Sequence, residues 1–164
     1  FMQVEQDVPP PSAAIGQRPD VTLMQRSADA AVLLALWHWR DAGRRVWSGL
    51  AVGAASVVAF FAALTGIVAF VSLYIYEHPH HHCPFCILKP EYDYQGYLLY
   101  IPLFAAAAAG LAAGVLTLFA HRPSLAALAP QASARLAGIA AAGFALFLVV
   151  ASFMVLSSNL ILLE

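Results

Sequence analysis

Three long stretches of this chain contain no Asp, Glu, Lys or Arg, and this segregation of charge constrains the fold more than any other feature. The stretches are residues 46–76, 96–120 and 136–163. Each exceeds the roughly 20 apolar residues that a helix needs to cross about 30 Å of hydrocarbon. A soluble helix of this length needs a polar face, and these stretches offer no charged one. We therefore predict an all-α integral membrane protein with three transmembrane helices.

The charged residues between these stretches predict an orientation. Five arginines flank the spans on one side of the predicted membrane: Arg40, Arg44, Arg45, Arg122 and Arg135. The 77–95 loop between the first two spans carries only Lys89 as a basic residue besides histidine. By the positive-inside rule, residues 1–45 and 121–135 should face the cytoplasm of a bacterial inner membrane. The 77–95 loop and the C-terminus should then face the periplasm.

The aromatic residues follow the same division between two membrane interfaces. The tryptophans fall beside the arginine-rich segments, at Trp37, Trp39 and Trp47. The tyrosines gather around the other loop, at Tyr74, Tyr76, Tyr92, Tyr94, Tyr97 and Tyr100. Amphipathic rings of this kind are enriched at the membrane surface. A signal peptide cleaved before Phe1 would reverse the orientation, and we do not expect one because it would place the five arginines outside.

The amino-terminal segment has two parts. Residues 1–27 are polar and contain three consecutive prolines, so we expect an extended or disordered tail. Residues 28–45 predict a short amphipathic helix that lies in the inner interface, with Leu33, Leu36 and Trp37 in the lipid. Packing of this helix on a partner protein is the alternative. The sequence does not separate the two.

Small residues recur within the spans at intervals that favour close packing of helices. Gly49 and Gly53 form one Gly-x-x-x-Gly pattern, and Gly110 and Gly114 form another. No ionisable residue lies in the middle of a predicted span, so nothing indicates a proton relay. His38 and His121 are expected to be polar caps at the inner interface. The sequence has no phosphate-binding loop, dinucleotide-binding pattern or nucleic-acid-binding pattern, and we expect no nucleic-acid partner.

The residues with the most reactive chemistry lie together in the 77–95 loop. Residues 78–86 read His-Pro-His-His-His-Cys-Pro-Phe-Cys and contain four of the six histidines and both cysteines. Pro84 favours the first position of a short helix over 84–89, which would place Cys83 at its amino end. A thiolate is stabilised at that position, and the pKa of Cys83 should therefore be low.

Three interpretations of this cluster compete. In the first, Cys83 and Cys86 bind Zn²⁺ or copper together with two of the four neighbouring histidines, which are His78, His80, His81 and His82. In the second, the two cysteines cycle between dithiol and disulfide, as an oxidising compartment would permit. In the third, they form a structural disulfide or stay inert, and the histidines belong to a solvated loop.

A short part of the chain resembles a known family. The run His82-Cys83-Pro84-Phe85-Cys86-Ile87-Leu88, between a first and a second span, resembles the outward Cys-x-x-Cys segment of DsbB-type disulfide-generating membrane proteins. The resemblance implies that Cys83 and Cys86 are catalytic, that they pass electrons to a quinone, and that Lys89 stands near the place of the family's quinone-contacting arginine. That family has four spans and a second cysteine pair, whereas this sequence shows three spans and no further cysteine.

The function that the sequence favours is that of a membrane accessory protein for transition-metal binding and delivery. Cys83 and Cys86 would capture a copper or zinc ion as thiolates, and His80 and His82 would complete its coordination. Three helices without polar residues in the membrane make a poor conduit, so we expect a transporter or other membrane subunit as partner. We expect an accessory protein rather than an enzyme. The alternatives are a quinone-linked thiol-disulfide oxidoreductase and a structural subunit of a larger complex.

Overall fold

The computed structural model describes residues 19–68, 88–90 and 94–157. Four long helices occur in these ranges: α1 (Pro19–Arg40), α2 (Val46–Gly66), α3 (Gln95–Leu118) and α4 (Leu128–Ser157). No strand occurs in the same ranges. The predicted all-α class is confirmed.

The three predicted spans correspond to α2, α3 and α4, each of which is long and apolar enough to cross a membrane. Helix α4 begins earlier than predicted, at Leu128, so residues 128–135 of the predicted 121–135 loop are helical. Large apolar side chains point outward from all three helices, for example Phe61, Ile101 and Val149, each more than 60% exposed. Water would strongly disfavour so much exposed hydrocarbon, whereas lipid does not. The chain therefore has the surface of a multi-pass membrane protein.

Helix α1 is the predicted amino-terminal helix, and it is longer than the sequence indicated. It begins at Pro19, a residue that suits the first turn because its missing N–H needs no partner there. It ends at Arg40, because Ala42 and Gly43 adopt positive φ angles of 52° and 69° and break the helical path. Residues 41–45, predicted as helix, form the tight connection to α2.

The helices pack as an up-and-down four-helix bundle. Each contacts its two neighbours in the order α1, α2, α3, α4 and back to α1, while the diagonal pair α2 and α4 scarcely touch. Contacts at both ends of α1 show that it runs the length of the first span. Met24 lies beside Gly66 at one end, and His38 lies beside Ser48 at the other. The helix is thus packed lengthwise, whereas the sequence predicted contact at the inner interface alone.

Two kinds of contact fill the bundle. Large side chains from α3 and α4, including Leu103, Phe144 and Phe147, form the core towards one end. Small residues let α2 and α3 approach closely elsewhere. A Cβ atom on Gly53 would lie only 3.3 Å from the Cα atom of Gly114. The two Gly-x-x-x-Gly patterns therefore serve packing, as predicted.

The antiparallel arrangement places the five flanking arginines at one end of the bundle, and Lys89 and Tyr94 at the other. The turn at 41–45 and the connection at 119–127 lie at the same end, because His38 contacts both Ser48 near the start of α2 and Ser133 near the start of α4. All five flanking arginines belong to this end, which we call the arginine end. Lys89 and Tyr94 belong to the opposite end, where α2 finishes and α3 begins.

Candidate functional site

The cysteine and histidine cluster lies on the connection between α2 and α3. Its members are His78, His80, His81, His82, Cys83 and Cys86, and all of them lie outside the described residues. Their roles as metal ligands or as a redox pair therefore stay predictions. Within the described ranges, no group of three or more His, Cys, Asp or Glu side chains could hold a metal ion.

The residues that lead from the cluster into α3 are described. Lys89 and Pro90 are exposed, and the backbone N–H of Tyr94 donates a hydrogen bond to the carbonyl of Lys89 at 3.5 Å. Tyr94 itself has a positive φ angle of 55°, which turns the chain sharply into the helix. Its ring lies 6.1 Å from that of Tyr97, and both rings are about half exposed. Two half-exposed tyrosines therefore lie together at the start of α3.

A second polar site, which the sequence did not predict, lies near the arginine end. His38 is fully buried, and its two ring nitrogens face two serines from different helices. Nδ1 lies 2.6 Å from the hydroxyl of Ser48 on α2, and Nε2 lies 2.8 Å from the hydroxyl of Ser133 on α4. The Ser133 hydroxyl is also 2.8 Å from the carbonyl of Ala113 on α3. One imidazole therefore links all four helices.

The number of protons in this network accommodates either charge state of the ring. Each serine hydroxyl has one proton, and both hydroxyls lie within hydrogen-bond distance of a backbone carbonyl as well as of the ring. A neutral His38 donates from one ring nitrogen to one serine, and accepts at the other nitrogen from the second serine. The first serine then donates to its carbonyl. Both ring nitrogens of a neutral imidazole thus have a partner, although the second serine then has no proton left for its carbonyl.

Burial lowers the pKa of His38 below its ordinary value of 6.5, and the nearby charge of Asp41 opposes this effect. The negative charge of the Asp41 carboxylate has little compensation from neighbouring groups. Its Oδ2 atom is buried without a hydrogen bond, and it lies 3.7 Å from Nε of Arg45, a distance that suits only a weak ion pair. Desolvation is nevertheless the larger of the two effects, so the pKa of His38 stays below its ordinary value.

The buried network serves to join helices. Ser48 and Ser133 are both almost inaccessible, so neither hydroxyl can meet a substrate in this conformation. The interpretation of His38 as a polar cap at the interface was wrong, whereas His121 is exposed. A sequence signal for the burial of His38 did exist. The residue continues the helical series Met24, Ala28, Ala31 and Ala35, which is the buried face of α1.

Comparisons of this chain with models of protein families, with curated proteins and with solved structures found no significant match. The function proposed below is therefore inferred from the residues themselves.

Proposed function

We propose that this protein is a membrane accessory protein that captures a transition-metal ion and passes it to a partner. The observation that carries the proposal is the concentration of both cysteines and four histidines within residues 78–86, on the connection between two membrane-spanning helices. Thiolate and imidazole ligands suit copper and zinc. Cys83 and Cys86 would bind the ion as thiolates, with His80 and His82 as further ligands and with His78 and His81 available as replacements during transfer.

The described bundle supports presentation of an ion rather than its passage through the membrane. The buried polar residues in the described ranges are one histidine, three serines and one threonine, and no buried residue there is Asp, Glu, Lys or Arg. Ion pathways in membranes are normally marked by several ionisable side chains, whereas His38 is the one such buried residue in the described ranges and lies near the arginine end. Translocation would accordingly be the work of a partner, to which the ion moves by stepwise exchange of ligands.

The proposal includes an orientation in a bacterial inner membrane. The arginine end would face the cytoplasm, and the end that carries Lys89 and the cluster would face the periplasm. Because α1 runs antiparallel to α2, Pro19 would lie towards the periplasmic end. For Pro19, our proposal thus differs from the sequence-based expectation that residues 1–45 face the cytoplasm. The positive-inside rule still supports this orientation, because the rule counts the arginines next to the spans.

Elemental analysis of the purified protein after incubation with Cu⁺ or Zn²⁺ tests the proposal. We expect about one bound ion per chain, since four ligands complete one tetrahedral site. The ion should be lost in the Cys83→Ser and Cys86→Ser variants. A His121→Ala variant, which removes an exposed histidine elsewhere, should keep it. Unchanged binding in both cysteine variants would contradict the proposal.

The second candidate function is quinone-linked oxidation of thiols, and the Cys-x-x-Cys run of residues 82–88 favours it. The DsbB-type proteins that these residues resemble have four spans, whereas α1 is not among the three helices of the described ranges that are long and apolar enough to cross a membrane. Oxidation of Cys83 and Cys86 to a disulfide releases two electrons and two protons, which a quinone accepts to become a quinol. The disulfide would then oxidise a substrate dithiol by thiol-disulfide exchange, and this restores the two thiols.

Trapping of free thiols distinguishes the candidate functions. Under the second candidate, addition of a quinone should convert Cys83 and Cys86 from thiols to a disulfide in the metal-free protein. Under the first, the thiols should be protected by bound metal and released by a chelator. A structural subunit, the third class, predicts that alanine at both cysteines leaves assembly and activity of the complex unchanged.

A further inference from the structure

An apolar groove runs along the outside of the bundle between α1 and α4. Its volume is about 310 Å³, which falls at the lower end of the sizes of ligand pockets. It is lined by Val32, Leu36, Trp39, Gly138, Ala141, Ala142 and Ala145. The groove lies on a surface that faces lipid in a membrane protein of this kind, and its small α4 side chains leave room for a narrow hydrocarbon chain.

Gly138 and Trp39 form the end of the groove nearest the arginines. A Cβ atom on Gly138 would lie 3.5 Å from Cδ1 and 3.6 Å from Nε1 of Trp39, so a larger side chain would fill this space. The indole is 53% exposed. In the described part of the chain, no protein group accepts a hydrogen bond from its N–H. A tryptophan of this kind is typical of the level at which lipid headgroups meet hydrocarbon.

Helical spacing places two arginines, which are not themselves among the lining residues, on the rims of the groove at this end. Arg40 follows Leu36 by one helical turn on α1, and Arg135 precedes Gly138 by three residues on α4. Both are exposed. The contacts of Trp39 with Gly138 and of His38 with Ser133 set the antiparallel register, and this register places Arg40 and Arg135 at about the same level. In the described ranges, Arg45 is the arginine that forms an ion pair, and its partner is Asp41.

We propose that this groove is a binding site for an anionic phospholipid. One acyl chain occupies the apolar groove, the phosphate is held between the guanidinium groups of Arg40 and Arg135, and the Trp39 N–H donates to the phosphate or an ester oxygen. Guanidinium groups bind phosphate oxygens with paired, charge-assisted hydrogen bonds. Basic pockets between membrane helices bind anionic lipids in this way. The site uses none of the residues of the cysteine and histidine cluster.

Native mass spectrometry of the full chain in detergent tests this site, with phosphatidylglycerol and phosphatidylcholine of identical acyl chains as probes. We expect one retained phosphatidylglycerol, favoured over phosphatidylcholine by about tenfold or more in affinity. The double variant Arg40→Gln with Arg135→Gln should lose this preference. The matched control is Arg44→Gln with Arg122→Gln, which removes two exposed arginines from the same end but not from the rims.

Substitution of Gly138 tests the acyl-chain part of the site separately. Gly138→Leu should fill the groove and weaken retention of both lipids, whereas Gly138→Ala, with ordinary contacts to Trp39, should weaken it less. Unfolding temperatures of all variants show whether each has folded. Equal losses in the two double arginine variants would mean general attraction of charge and would overturn the proposal. Equal retention of the two lipids by the unchanged protein would also overturn the proposal. Displacement of the lipid by inorganic phosphate alone would overturn it as well.

Discussion

The Nε2 atom of His38 and the hydroxyl oxygen of Ser133 lie 2.8 Å apart although 95 residues separate them in the sequence. This hydrogen bond joins the amino-terminal helix to the last span, and Ser48 extends the network to the first span at 2.6 Å. Apolar contact between helices has little direction in a membrane, because lipid is as apolar as the helix surfaces. A buried polar link of this kind can fix the register of α1 against its neighbours.

Removal of one partner from this link should lower the stability of the protein. Ser133→Ala leaves a buried ring nitrogen of His38 without its partner, and we expect a loss of about 1–3 kcal/mol in the free energy of unfolding. Reversible unfolding in mixed micelles measures it. Ser124→Ala, at an exposed serine in the connection before α4, is the matched control and should change stability little. Equal effects of the two substitutions would show that the His38 link contributes nothing.

Acidification should destabilise the folded protein through His38. Burial lowers the pKa of His38 in the folded state, whereas the unfolded chain binds a proton at the ordinary value of 6.5. Between these two values the unfolded state holds more protons, so stability rises with pH there and is complete above about 6.5. We expect the unfolding temperature to fall as the pH is lowered from 7.5 towards 5.

Two histidine variants isolate this contribution from those of other titrating groups. His38→Gln should show a weaker acid dependence of the unfolding temperature than the unchanged protein. His121→Gln, at an exposed histidine, should retain the full dependence. If the His38→Gln curve runs parallel to the other two, protonation of His38 does not control acid stability.

The close approach of α2 and α3 should make Gly114 intolerant of a side chain. A Cβ atom on Gly114 would lie 3.0 Å from both the carbonyl oxygen of Gly49 and the Cα atom of Gly53, which are backbone atoms and cannot turn aside. We expect Gly114→Val to cost about 1–3 kcal/mol of stability by forcing the helices apart. Ala108→Val introduces the same branched side chain on the exposed face of α3 and should reduce the stability much less.

Labelling of introduced cysteines tests the proposed orientation. In a background with Cys83→Ser and Cys86→Ser, single cysteines at Lys89 and Arg122 occupy exposed positions at opposite ends of the bundle. A thiol reagent that does not cross lipid should label Lys89→Cys in intact spheroplasts. It should reach Arg122→Cys only after the membrane is opened. The reverse pattern would invert the orientation and place the cluster in the cytoplasm.

The three spans could be predicted because hydropathy is a local property. The charge-free stretch at 96–120, for example, coincides closely with α3 (Gln95–Leu118). The position of α1 could not be predicted in the same way, because its buried face consists mainly of small alanines such as Ala31 and Ala35. Alanines carry little hydropathy signal, whereas Leu33 and Trp37 on the opposite, exposed face of α1 stand out in the sequence.

The two sites differ in how far the sequence reveals them. The cysteine and histidine cluster is visible in the sequence because its members are adjacent, and it lies outside the described residues. The His38 network and the groove beside Trp39 depend on residues such as Ser133 and Gly138, which belong to another helix. Only the pairing of α1 with α4 brings these groups together, and no short motif encodes that pairing.

The lengthwise packing of α1 has a consequence for how the chain enters the membrane during synthesis. Arg26 and Asp29 are exposed on α1, between the contacts of Met24 with Gly66 and of His38 with Ser48, so they lie beside the first span. Charged side chains make such a helix a poor substrate for insertion by itself. The tight turn at 41–45 ties α1 to an apolar neighbour. Entry of α1 into the bilayer would therefore depend on its pairing with α2, the helix of this hairpin that is long and apolar enough to span it.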